Sequence, residues 1–161
     1  MLDWSAVFLV DEAGMIDKNA GIGYTVFSIA MTMSRLGGNW IIQRLGRKWT
    51  ISAGALVAAA GFCLLTSMPH PAGAVCGFTM IGLGAANVVP LIFLLASESE
   101  GALGSNISYV SILGYSGVLS GPALIGFFAN AKGFGAAFGG VASLLALVAL
   151  SGLIAVPDRR P

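Results

Sequence analysis

Arg35-Leu36-Gly37-Gly38-Asn39-Trp40-Ile41-Ile42-Gln43-Arg44-Leu45-Gly46-Arg47-Lys48 is the stretch that decides how the chain is read. An oily run ends at Ile42, and three cations and a glycine follow within six residues. Cations avoid hydrocarbon, and glycine permits a sharp reversal of the chain. Outward from this corner, residues 20–43 and 49–68 are both apolar. Each is long enough for a helix crossing roughly 30 Å of hydrocarbon, which takes about 20 residues.

Three more segments meet the same length requirement: 73–96, 107–129 and 134–156. Between them lie Pro69-His70-Pro71, Glu98-Ser99-Glu100-Gly101 and Asn130-Ala131-Lys132-Gly133, which concentrate the charge and the helix-breaking residues. The apolar runs are long and lack strict alternation, so strands are not expected. The composition agrees, with 57% apolar and 9% charged residues among 161. A soluble domain carries roughly 25% charged residues. An ordinary soluble enzyme, a disordered chain and a nucleic-acid-binding domain are excluded on that ground. The expected fold is an all-α integral membrane protein whose first partner is the lipid bilayer.

Residues 2–10 are apolar apart from Asp3 and Ser5, and Asp11-Glu12 ends the run. Ten residues reach only about 15 Å as a helix, half a membrane. The expectation is that the chain opens inside a truncated transmembrane helix, over 1–10. Either its start is misplaced or the protein is a fragment. No basic n-region precedes Trp4, so a signal peptide is not expected. Cys63 and Cys76 lie inside apolar runs without a CxxC or a neighbouring histidine. They read as small buried residues, and neither a metal nor a cofactor is expected.

Lys and Arg set the orientation. Placing Arg44, Arg47 and Lys48 in the cytoplasm puts Pro69-His70-Pro71 outside, Glu98 to Gly101 inside and Lys132 outside. Residues 157–161 then form a cytoplasmic tail carrying Arg159 and Arg160. Trp40 and Trp49 are interface anchors in this scheme.

The basic corner resembles the loop motif of the major facilitator superfamily, where a small residue is followed four positions on by an acid and then Arg-x-Gly-Arg-Lys. Arg44, Gly46, Arg47 and Lys48 match. Asn39 stands in place of the glycine and Gln43 in place of the acid, which removes a carboxylate that would hold the loop arginine. Gly114 to Pro122, with Gly117 and Gly121 as a GxxxG pair, resembles the glycine-proline eleventh helix of the same superfamily. Such spacing lets helices approach closely, and Pro122 lacks an N–H. Asp3-Trp4 resembles the opening of the seventh helix in its fucose-permease-like branch, including poorly characterised bacterial members.

The resemblance implies half of a major facilitator fold: the end of helix seven, then helices eight to twelve over 20–156. It implies proton-coupled secondary transport of a small-molecule substrate through an inner (plasma) membrane. It also implies a missing N-terminal transporter half as partner. Asp3, Trp4, Asn87 and Tyr115 are candidates for substrate or proton contact, and Arg35, Arg44, Gly46, Arg47, Lys48, Gly117, Gly121 and Pro122 for gating or structure. Arg35 lies eight residues before Gln43, about 12 Å along a helix, and either snorkels or pairs with Glu98 or Glu100. Asn87 sits mid-span near Gly82, Gly84 and Pro90, in a stretch able to unwind. Tyr109 is a weaker candidate, and Tyr24, Ser28 and Thr32 recur every four residues on one helix face.

Two other classes compete. An inert fragment or non-transporting membrane subunit would need a separate N-terminal half, because alternating access requires two bundles. An intramembrane serine protease is suggested by Gly114-Tyr115-Ser116-Gly117, but the lone histidine, His70, is placed in a loop.

Overall fold

The computed structural model describes residues 4–99 and 103–156. It consists of helices, with no strand among the described residues. In order they are α1 (Ser5–Asp11), a 3-10 turn (Asp17–Asn19), α2 (Ile22–Leu36), α3 (Gly38–Ser67), α4 (Pro71–Ala85), α5 (Val88–Glu98) and α6 (Leu103–Ala155). Three continuous stretches are long and apolar enough to cross a membrane: Gly38–Ser67, Pro71–Glu98 and Ser105–Ala155.

Two glycines divide these rods at expected turns. Gly46 has φ 81° and ψ 164° inside α3, and Gly133 has φ 81° and ψ 165° inside α6. Side chains with a Cβ rarely adopt that conformation. At 1.5 Å per residue an unbroken α6 would run to about 80 Å, more than twice the hydrocarbon thickness. Gly133 resolves the conflict by ending one rod and starting another. The expected span over 20–43 is also in two pieces, α2 and the start of α3, interrupted at Gly37. The span over 73–96 is interrupted at Ala86 and Asn87 between α4 and α5.

The start of α4 has a local cause. Pro71 occupies the first turn, where no N–H is needed, and His70 Nδ1 accepts from the Gly73 N–H at 3.2 Å.

α3 packs against α4 and α6, and α2 against α4. The α3–α4 seam is made of small residues. A Cβ on Gly54 would lie 2.6 Å from the Gly84 carbonyl oxygen, and one on Gly61 would lie 2.7 Å from that of Gly77. Backbones this close gain dispersion contact that larger side chains would prevent. At one end, α1 inserts Phe8 and Leu9 into an aromatic core with Phe62, Phe78, Phe134 and Phe138. Phe8 meets Phe78 and Phe134 edge-on, with centroids 6.2 and 5.9 Å away. A second cluster around Ile51, Val88 and Leu91 joins α3 to α5.

Candidate functional site

The two interrupted helices lie side by side, and their polar groups are cross-connected. Pro90 has no N–H, so the carbonyl four residues earlier, on Ala86, loses its intrahelical donor. Arg35 Nε donates to that oxygen at 3.3 Å. On the other helix, Asn87 Nδ2 donates to the Ser34 carbonyl and contacts Ser34 Oγ, both at 3.3 Å. Ser34 Oγ in turn donates to the Leu83 carbonyl at 3.0 Å. Gly38 makes room for the amide, since a Cβ there would overlap Asn87 Oδ1. Each break thus satisfies backbone groups of the other, as a low-dielectric interior requires. An open cleft of about 430 Å³ adjoins this brace, lined by Ser34, Ile41, Thr50, Gly54, Leu83 and Asn87 among others.

The basic corner is the second part of the site. Gly46 is buried at the turn, and its carbonyl accepts from Thr50 Oγ1 at 2.7 Å. Arg47 forms an ion pair with Glu98 at the end of α5. The carboxylate missing at Gln43 is therefore replaced by one from another helix. Arg44 lies over the Trp40 ring, 4.5 Å from its centroid, a cation–π contact. Trp40 and Trp49 are exposed.

The remaining candidates are scattered. Asp3 lies outside the described residues. Trp4 Nε1 donates to the Pro122 carbonyl at 3.1 Å, and Gly126 leaves space for the indole. Trp4 and Pro122 are thus brought together and tie α1 to α6. Tyr109 and Tyr115 are exposed. A Cβ added to Gly117 or Gly121 would meet nothing within 4 Å, so this GxxxG pair has no neighbour among the described residues. The seam that does use small residues, Gly54 and Gly61 against Gly77 and Gly84, is signalled in the sequence only by a spacing of seven on each helix. Ser34, Pro90 and Glu98 join the site without any motif of their own. Ser116 Oγ donates to the Leu113 carbonyl at 2.8 Å, and His70 Nδ1 is occupied as a helix cap. Cys63 and Cys76 are free thiols and are exposed, contrary to the burial expected of them. Each lies on a face of its helix that no other described segment covers.

Comparisons with known proteins converge on one family. The Major Facilitator Superfamily description fits residues 4–161. An uncharacterized MFS-type transporter of Yersinia pestis is 45% identical over 153 residues, covering 94% of this chain and 40% of that protein. Membrane protein MosC of Rhizobium meliloti is 34% identical over 154 residues, covering 95% of this chain and 36% of its own length. The multidrug transporter protein MdtP of Bacillus subtilis is 30% identical over 95 residues, 57% of this chain and 18% of that one. No solved structure matches. The chain spans about 40% of the length of the Yersinia relative. On this evidence the chain is a multi-pass membrane protein, not an enzyme, and it belongs to the Major Facilitator Superfamily.

Proposed function

We propose that the chain forms the C-terminal half of a secondary transporter that moves a small solute across an inner membrane, coupled to protons and joined to an N-terminal half. The five long rods, separated at Gly46, Met68–His70, after Ser99 and at Gly133, correspond to helices eight to twelve, and α1 to the end of helix seven. The basic corner and the C-terminus face the cytoplasm.

The observation that carries this reading is the brace at the two helix breaks, set beside the Arg47–Glu98 pair. Alternating access needs rods that move as units and tilt against a partner bundle. Here the ends of α2 and α4 are linked by four polar contacts, and the end of α5 is tied to the turn in α3. Asn87 then acts as a positioning residue at the hinge. Trp4 positions the first helix against Pro122. Asp3 and Tyr115 remain the candidates for proton and solute contact.

The test is reconstitution. The chain is co-expressed with an N-terminal major facilitator half and placed in liposomes loaded with a pH-sensitive dye. A sugar, an amphipathic cation and an organic acid are then added in turn. One of them is expected to move protons with the solute, and silence with all three removes the coupled-transport reading. A second reading, a membrane subunit that does not transport by itself, is favoured by the exposed face of α6, where Leu113, Tyr115 and Leu119 are uncovered by the described residues. Solute flux by the purified chain alone would eliminate it.

A further inference from the structure

α2 has three distinct faces. Gly23, Ala30 and Ser34 are buried. Ile22, Ile29, Met33 and Leu36 form an exposed oily face suited to lipid. Tyr24, Ser28, Thr32 and Arg35 recur at intervals of four, four and three, which a helix brings to one side. All but the half-buried Ser28 of this polar face are exposed. A shallow cleft of about 260 Å³ opens beside Ser28 and Thr32.

Arg35 is the charge on that face, and it lies well inside the span. Its Nε is engaged by the carbonyl that Pro90 orphans, which fixes the plane of the guanidinium. Both Nη nitrogens make no hydrogen bond to any described residue. Glu98, the described acid that the charge pattern offers to Arg35, forms an ion pair with Arg47. A cation at membrane depth with its forked donors open calls for an oxyanion, which it binds in a bidentate fashion.

We propose that Arg35, through its two Nη nitrogens, binds a carboxylate or phosphate group carried by the transported solute at the polar face of α2. The proposal rests on the transport reading and names the solute as anionic. Ser28 and Thr32, on the same face, flank the path of the solute. Carbonyl contact at Nε makes Arg35 a preoriented receptor, because less side-chain freedom is lost on binding.

The test uses the intact chain in detergent micelles with isotope-labelled guanidinium groups followed by NMR. Benzoate, inorganic phosphate and neutral benzamide are titrated in turn. Benzoate or phosphate is expected to shift one arginine signal saturably, and the tighter of the two identifies the group. Benzamide is expected to leave that signal in place. Arg35→Gln is expected to weaken binding about tenfold or more, the scale of a charge-assisted contact. No saturable response to either anion overturns the proposal, as does an equal response to benzamide or unchanged affinity in Arg35→Gln. Should Arg35→Gln fail to fold, Arg35→Lys decides. Its affinity falls severalfold because the fork is gone, and an unchanged affinity rejects the site. The dye assay separates this from the transport reading. Anion binding without flux leaves the site and removes transport, whereas flux without anion binding does the reverse.

Discussion

Gly46 shows how one residue sets a corner. Its φ of 81° and ψ of 164° place it in an essentially glycine-only region, where a Cβ costs roughly 1–3 kcal/mol. Gly46→Ala is expected to destabilise the chain by about that amount, read as a lower unfolding midpoint in detergent. Gly114→Ala is the control, because nothing lies within 4 Å of its Cβ position and its φ is ordinary. There alanine is expected to be neutral or slightly stabilising through helix propensity. Gly84→Ala sits at the other extreme. Its Cβ would run into the Gly54 carbonyl oxygen, so the helices must part, at a cost of about 1–3 kcal/mol. If the three variants unfold at the same temperature, the seam and the turn are wrongly placed. Gly46 stands out in the sequence because cations surround it. Gly84 does not, because a packing glycine reveals itself only when its neighbour is known.

At the level of helices, two connections lend themselves to measurement. The Arg47–Glu98 pair joins α3 to α5, with the arginine side chain 18% and the glutamate 41% exposed. A partly exposed pair contributes on the order of 0.5–1 kcal/mol. A double-mutant cycle with Arg47→Ala and Glu98→Ala is expected to return a coupling of that size, and additive losses would show that the pair contributes nothing. The brace gives a sharper signature. Pro90→Ala restores a donor for the Ala86 carbonyl and is expected to slow amide exchange around residues 86–91. Asn87→Ala removes the link to Ser34 and is expected to speed exchange at both breaks, around residues 37–41 as well as 87–91. Faster exchange at one break alone would mean that the two are not coupled. Charge pattern alone leaves Arg35 to snorkel or to pair with an acid, the usual partner of a cation at membrane depth. Pro90 changes that, because a proline inside a helix creates an acceptor that no pattern of charges announces.

Over the whole molecule, the distribution of exposed apolar surface has consequences. α1, α3, α4 and the last part of α6 share the aromatic core, whereas Leu113, Val118 and Leu119 on the first part of α6 are 69–80% exposed. The chain in detergent is expected to capture a co-expressed N-terminal major facilitator half through this face, read as co-purification on a tag carried by one of them. Leu113→Asp combined with Leu119→Asp is expected to abolish capture without changing helix content. The orientation is tested separately. A tag after Pro161 is expected to resist protease added outside intact cells, and its loss would invert the proposed topology.

The sequence by itself determined the all-helical membrane class, the turns at Gly46 and Gly133, and the family, because span length, charge placement and glycine at a reversal are local properties. The tertiary structure alone decided that α2 and the α4–α5 junction break together, that Glu98 supplies the carboxylate absent at Gln43, and that the tight seam runs through Gly54 and Gly84 instead of Gly117 and Gly121. Those are contacts between residues about 30 to 50 positions apart. An orphaned carbonyl or a missing Cβ has no meaning along one rod until a second rod is laid against it.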